Sequence, residues 1–300
     1  MSAAAAGRAS LTSRLLAWSS RFLLSPAEST PVHVQRAEFR KAAAGPAFLT
    51  GGRPKLAQIG DDIIEGVRVR RYRPHDARPG TVVFFHGGGW TVGDLDSYDV
   101  LAGTLAALSG HEVVSVDYRL APENPYPAAF DDAVAVTRAV AAAGPVAVAG
   151  DSAGGNLAAA VANRVPVLGQ LLMYPVLDCA NESASYEAYA TGHILTREGI
   201  RAYRRNYVPE PRRRTEPDAS PLLAPSLDHT PPAYLIVAEC DVLRDESLAY
   251  AERLRQTGRP VTLDLVPGVL HGFLSLLGLS EAHAALSRGS EWLDTAFREP

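Results

Sequence analysis

Cysteine is scarce in this chain, with Cys179 and Cys240 alone among 300 residues. A disulfide framework needs more, so nothing in the sequence points to an oxidising compartment, and Cys240 reads as a small buried filler. Long apolar runs are also missing. The stretch Ser10–Leu24 holds Leu11, Leu15, Leu16, Trp18, Phe22, Leu23 and Leu24, but Arg14 and Arg21 interrupt it. It lacks the clean apolar core of about 7–15 residues that a secretory signal needs, and no stretch reaches transmembrane length. A cytoplasmic protein without stable membrane insertion is expected, with amphipathic contact to a membrane surface left open. An excess of positive charge is absent: 29 Lys and Arg stand against 33 Asp and Glu, net −4. That balance argues against nucleic acid as a partner. The one basic run, Arg212-Arg213-Arg214, is short, lies between prolines and reads as a solvated loop. No internal repeat is visible. What remains is 47% apolar and 21% charged, enough to bury a full core in one large α/β domain, or one domain plus a cap.

The most informative stretch is Gly150-Asp151-Ser152-Ala153-Gly154. It follows the apolar run Val146-Ala147-Val148-Ala149 and leads into Asn156–Ala162, rich in helix formers. Strand, G-x-S-x-G and helix together are the context of a nucleophile elbow. A Cβ at Gly150 or Gly154 would clash with the neighbouring helix or strand, and the turn lifts the Ser152 hydroxyl while aiming the Ala153 amide at the same space. A second motif, His86-Gly87-Gly88-Gly89-Trp90, follows the apolar strand Val82-Val83-Phe84-Phe85. Consecutive glycines let backbone N–H groups turn towards a ligand, the other half of an oxyanion hole. His86 itself is expected to hold that loop in shape.

With these motifs and those that follow them, the chain resembles the hormone-sensitive-lipase family of α/β-hydrolases, the bacterial carboxylesterases with HGGG and GDSAGGN motifs. The resemblance is carried by His86–Trp90 with Gly93-Asp94, Asp117-Tyr118-Arg119-Leu120-Ala121-Pro122-Glu123, Tyr126-Pro127-Ala128-Ala129, Gly150–Asn156, Tyr174-Pro175, Asp241–Glu246 and His271-Gly272-Phe273. It implies serine ester hydrolysis with no metal and no organic cofactor. In the related esterases a segment like residues 1–55 folds over the active site as part of a cap. Residues 56–300 would then form the catalytic domain, with a second cap element inserted at about 180–230. The family usually has proline where this chain has Val242, and the helix after Ser152 ends early, by Val165-Pro166.

The coarse pattern agrees with an α/β-hydrolase fold: a mostly parallel central sheet with helices on both faces and a helical cap. Residues 59–73 alternate apolar and polar as an antiparallel edge hairpin. Residues 80–86, 113–116, 146–149, 170–174, 234–238 and 261–266 read as strands, and 130–143, 155–164 and 281–297 as helices. Residues 180–230 hold many prolines, two tyrosine-bearing helical pieces and no clear strand.

A serine hydroxyl needs a base within reach, and the base needs a partner that fixes its tautomer. In this fold the chain order is Ser, acid, His. His271 follows the last strand in a glycine-flanked loop. Of the other histidines, His33, His75, His111 and His229 lie in surface-like polar stretches, His193 in the cap and His283 in the closing helix. Asp241 leaves the end of the strand before the His271 loop. Asp245 and Glu246, one turn on, are expected to support the next helix start, where negative charge is favoured. The catalytic set expected is Ser152, Asp241 and His271, with the amides of Gly88, Gly89 and Ala153 as oxyanion donors. Asp151 and Asn156 are expected to brace the elbow, and Tyr118, Arg119 and Glu123 to be scaffold. Tyr98, Tyr126, Tyr174, His193, Ile194 and Leu195 are candidate pocket walls.

The expected partner is a small-molecule ester, with a homodimer left open. A dedicated deacylase or amidase of a biosynthetic pathway would share every catalytic residue. A non-catalytic small-molecule receptor on the same fold is the reading from another class. Such receptors typically lose a triad member, and this chain keeps Ser152, Asp241 and His271.

Overall fold

Strands β1 (Gln58–Ile64) and β2 (Val67–Arg73) are joined by Glu65 and Gly66, both at positive φ, a two-residue hairpin turn suited to strand twist. They open an eight-stranded sheet in this computed structural model, which describes residues 9–10, 30–191 and 193–298. The other strands are β3 (Arg78–Phe85), β4 (His111–Val116), β5 (Val146–Asp151), β6 (Gln170–Met173), β7 (Ala233–Cys240) and β8 (Val261–Leu270). Their spatial order is β1-β2-β4-β3-β5-β6-β7-β8. The pairs β1/β2 and β2/β4 are antiparallel, and every later pair is parallel.

The central strands are apolar on both sides, so alternate residues feed two cores. Val83, Phe85, Val114, Val116, Val146 and Val148 face helices α4 (Ala128–Ala143), α5 (Ala153–Ala162) and α8 (Arg244–Gln256). Val82, Phe84, Val113, Ala147 and Ala149 face α3 (Asp99–Ser109) and the closing helix α9 (Ser280–Arg298). Helix α3 is the element for which the sequence pattern provides no expectation. Its cues are present: Asp99 in the first turn, buried Leu101 and Leu105, and Gly110 in the left-handed region as its C-cap.

His111 departs from its surface-like setting. It begins β4 directly after that cap and is buried against Phe297 of α9, ring centroids 4.3 Å apart, with Nε2 3.2 Å from Asp294. Burial lowers its pKa. The basic run forms part of a 3-10 turn, Pro211–Thr215. In it Arg212 is solvated, while Arg213 lies over the Tyr126 ring and pairs with Glu216.

Between β6 and β7 the chain leaves the sheet and returns through α6 (Ala184–Ala188) and α7 (Arg197–Tyr207), the two tyrosine-bearing helical pieces. Before β1 lie α1 (Val32–Ala43) and α2 (Ala47–Thr50). The cap expected from residues 1–55 falls in part outside the described residues, at 1–8 and 11–29. Among the described residues, no helix is long and apolar enough to cross a membrane.

Candidate active site

Three parallel strands deliver their C-terminal ends to one place. β5 ends at Asp151, and Ser152 turns the chain into α5 with φ +55° and ψ −116°. A non-glycine residue rarely adopts a positive φ, at a cost of roughly 1–2 kcal/mol. The surroundings enforce it. A Cβ on Gly150 would overlap the Gly154 carbonyl, and one on Gly154 would overlap the carbonyls of Phe85 and His86. The elbow therefore sits directly against the end of β3 and the glycine loop that follows it.

The Ser152 Oγ lies 2.9 Å from Nε2 of His271, and Nδ1 of that ring lies 2.7 Å from Oδ2 of Asp241. All three side chains are buried, with small residual exposure at Ser152 and His271. Asp241 accepts a second bond from the Leu243 amide at 3.0 Å, which fixes the carboxylate at the end of β7. The Tyr174 ring stands edge-on to the imidazole, centroids 5.0 Å apart. The structure thus brings Ser152, His271 and Asp241 into one hydrogen-bonded series.

The glycine loop is ordered by its own carbonyls. A trans peptide is planar, so a bond to its C=O sets the opposite direction of its N–H. Nδ1 of His86 meets the Gly87 carbonyl at 2.7 Å and so orients the Gly88 amide. The amides of Thr91 and Val92 donate to the Gly88 carbonyl at 3.0 and 2.9 Å and so orient the Gly89 amide. Among the described residues, the amides of Gly88, Gly89 and Ala153 have no acceptor within the protein. His86 is sealed between Tyr118, 4.3 Å away and stacked, and Tyr98, and burial lowers its pKa.

Asp151 points away from Ser152, as expected, and does more than brace the turn. Its Oδ1 accepts the Gly87 amide at 2.7 Å and its Oδ2 the Tyr98 hydroxyl at 3.2 Å, tying the glycine loop to the elbow. Burial pushes this carboxyl up to about 7. Asn156 does not brace the elbow: its Nδ2 donates to the Ala219 carbonyl at 3.0 Å, in the excursion between β6 and β7. The same carbonyl also accepts from the Cys179 thiol at 3.1 Å, so Asn156 ties α5 to that excursion.

Asp245 accepts the Ser185 amide at 2.8 Å, and Glu246 accepts the Leu177 amide at 2.7 Å and the Tyr186 hydroxyl at 3.3 Å. Both carboxylates hold the start of α8 to that excursion. Burial pushes Glu246 up to about 8 against the pull of Arg204.

Of the other candidates, Tyr118 donates to the His86 carbonyl at 2.7 Å, Arg119 pairs with Asp132 and Glu123 with Arg36. Ile194 lines a small, mostly apolar cavity with Leu270 and Phe273, which flank His271 in the sequence. Tyr126 bonds Glu216 and meets Tyr207 edge-on. Two contacts had no signal in the local sequence. The Tyr203 ring of α7 rests on Gly89, where a Cβ would overlap it. The Trp90 indole stacks on Tyr207, centroids 4.2 Å apart and planes 6° from parallel.

This sheet order, with an elbow serine, is that of an α/β-hydrolase. A family model described as the alpha/beta hydrolase fold matches residues 82–275. An ethyl acetate hydrolase of Pseudomonas putida is 36% identical over 232 residues, covering 71% of this chain and 73% of that protein. Carboxylesterase NlhH of Mycobacterium tuberculosis is 37% identical over 286 residues, 89% of this chain and 90% of that one. A hyperthermophilic esterase from the archaeon Pyrobaculum calidifontis superposes with a TM-score of 0.90 at 34% identity, covering 96% and 98% of the two chains. The chain belongs to the hormone-sensitive-lipase family of α/β-hydrolases, and it is a serine carboxylic ester hydrolase.

Proposed function

We propose that Ser152, His271 and Asp241 are the catalytic triad of this esterase, with the amides of Gly88, Gly89 and Ala153 as its oxyanion donors. The observation that carries the reading is the unbroken series from Ser152 Oγ through His271 to Asp241. Ser152 attacks the ester carbonyl while Nε2 of His271 takes the hydroxyl proton. Asp241 holds the tautomer and stabilises the imidazolium. As the tetrahedral intermediate collapses, the C–O bond to the alcohol breaks and the imidazolium returns its proton to the leaving oxygen. Water then attacks the acyl-serine by the same base, releasing the acid and restoring Ser152. The donors act on charge that develops on the carbonyl oxygen, and removing one typically costs ~3–4 kcal/mol of barrier.

The substrates proposed are small esters of short acyl chains. Tyr203 on Gly89 limits the space over the glycine loop, and one relative is named for ethyl acetate. The domain reading belongs here as well: residues 1–55 and about 180–230 act as cap over the 56–300 catalytic domain. A cytoplasmic location is part of it, supported by Cys179 and Cys240 being buried free thiols. The test is a chain-length series of nitrophenyl esters on the wild type and Ser152→Ala. Turnover that peaks at short chains and disappears in the variant supports the reading. An active Ser152→Ala, or faster hydrolysis of long-chain emulsions, would overturn it. Amides run alongside decide whether the chain is instead a dedicated amidase.

A further inference from the structure

Helix α1 is too short to stand by itself in water. It has 12 residues, no side-chain N-cap and no buried residue, and helices of that length are marginal in water without tertiary support. Its support comes from the loop of the active site. Arg36 makes four hydrogen bonds with one guanidinium: Nε to the Thr91 carbonyl at 2.9 Å, Nη2 to the Ala121 carbonyl at 3.1 Å, and a bidentate pair with Glu123 at 2.9 and 2.7 Å. Arg40 pairs with Asp94, and Phe39 stacks on Tyr98, centroids 6.1 Å apart.

The Thr91 bond has a consequence at the glycine loop. The Thr91 carbonyl and the Val92 amide belong to one peptide plane, so a donor on that oxygen fixes the amide on the opposite side. The Val92 amide donates to the Gly88 carbonyl at 2.9 Å. That carbonyl shares its own plane with the Gly89 amide. Arg36 is therefore joined to Gly89 N–H through two peptide groups in series, each polarising the next in the same sense. Two further bonds hold the loop without continuing that series: Thr91 Oγ1 donates to the Gly89 carbonyl at 3.0 Å, and the Ala121 amide donates to the Trp90 carbonyl at 2.8 Å.

We propose that Arg36 is a positioning residue of the esterase site, which aims and polarises the Gly89 oxyanion donor through the Thr91–Val92 and Gly88–Gly89 peptides, so that docking of α1 sets turnover. The proposal rests on the oxyanion role of Gly89 given above. It makes α1 a working part of the donor array as well as a cover. A full guanidinium is required, because one planar fork serves two carbonyls and a carboxylate at once, and an ammonium cannot match that geometry.

The test compares wild type, Arg36→Met, Arg36→Lys, Glu123→Gln and Ser152→Ala on a short-chain nitrophenyl ester. Active sites are counted with a fluorophosphonate, and assays are run well below each melting temperature. Methionine keeps the aliphatic stem that packs on the loop. The expected result is a kcat about tenfold lower in Arg36→Met, short of the 100-fold or more typical of losing one donor outright. KM stays within about twofold, since the donor acts on the transition state. Arg36→Lys falls between. Glu123→Gln, which leaves both carbonyl bonds, costs less than Arg36→Met. Per-site kcat unchanged in Arg36→Met, with only a lower melting temperature, would overturn the proposal. So would a Glu123→Gln loss equal to that of Arg36→Met, or failure of both Arg36 variants to give soluble protein, since α1 would then serve the fold alone. An active Ser152→Ala would instead sink the underlying triad reading, which separates the two failures.

Discussion

Asp151 offers a stability measurement whose pH dependence follows from the structure. Its carboxyl is buried beneath the elbow and pushed from 3.8 up to about 7, chiefly by desolvation. The groups facing it are the Gly87 amide and Tyr98 hydroxyl in direct contact, with His271, Tyr118 and Tyr174 acting through their fields. A folded-state value above the unfolded one means that the folded protein prefers the protonated acid. Stability is then fully present below pH ~4 and is lost as pH rises towards 7, where the unfolded chain ionises and the folded one resists. At about 1.36 kcal/mol per pH unit the loss amounts to roughly 4 kcal/mol above pH 7. Asp151→Asn imitates the protonated acid at every pH. Its side-chain oxygen can still accept the Gly87 amide, and its NH2 can donate to Tyr98. Urea unfolding of wild type and Asp151→Asn from pH 4 to 9 should give equal stabilities near pH 4 and diverge upward. At pH 8 the variant should be more stable by up to roughly 4 kcal/mol, on the order of 10 °C in melting temperature for a chain of this size. A difference that is constant across the range, or a variant less stable at pH 8 than at pH 4 relative to wild type, would refute the reasoning.

The two neighbouring acids separate cleanly by mutation. Asp241→Asn, at 2.7 Å from the imidazole, should fold and lose about 10⁴-fold in kcat, the cost of the wrong tautomer in a triad. Asp245→Asn, which weakens only the bonds to Ser185 and Arg244, should lower the melting temperature through a loss of about 1 kcal/mol while kcat changes little. Turnover and thermal melts of both proteins check this, and the reverse pattern would move the acid to Asp245. Tyr203→Ala should open the space over Gly89 and shift the best nitrophenyl ester to a longer acyl chain, and an unmoved optimum would show that another wall sets the length.

The strands and the three residues that meet in the hydrogen-bonded series, Ser152, His271 and Asp241, were legible in the sequence for related reasons. Central strands such as Val82–Phe85 and Val146–Ala149 are buried on both faces, so they read as unbroken apolar runs. The elbow needs glycine at 150 and 154 because backbone atoms of other elements occupy the space of a side chain, and such a demand leaves a fixed local pattern. What escaped was long-range. His111 looked polar and exposed because the aromatic ring that covers it, Phe297, comes from the far end of the chain. Asn156 sits next to the elbow in sequence, yet its amide meets Ala219, 63 residues away. Arg36 reaches carbonyls 55 and 85 residues further on. Backbone carbonyls are offered by every residue, so no residue type at 91 or 121 announces that an arginine will bind there. Helix α3 had its C-cap glycine, first-turn acid and apolar positions in view. Its weak amphipathicity, with buried residues on most sides, hid it from a periodicity search.

The glycine loop explains why function in this fold is legible from a few residues while its control is not. Gly87, Gly88 and Gly89 are each glycine for a different steric reason. A Cβ at 87 would meet the Asp151 carboxylate and Tyr98 hydroxyl, one at 88 the Val92 carbonyl, and one at 89 the Tyr203 ring. The first two constraints come from within the catalytic framework, from β5 and from the loop itself, so the motif alone implies them. The third comes from α7, in the excursion between β6 and β7. None of the hydrogen bonds that hold the elbow, the imidazole or the glycine loop is made to the Tyr203 side chain. The Ser152–His271–Asp241 series is thus held by strand ends, whereas the space over Gly89 is bounded by one aromatic ring on a separate segment. Acyl preference in this esterase should therefore move with substitutions at Tyr203 far more readily than the rate constant for its best substrate does. Comparing kcat with the chain-length optimum across a Tyr203 series of Ala, Leu, Phe and Trp tests this. A kcat for the best ester that falls in step with every change of optimum would show that α7 also shapes the transition state.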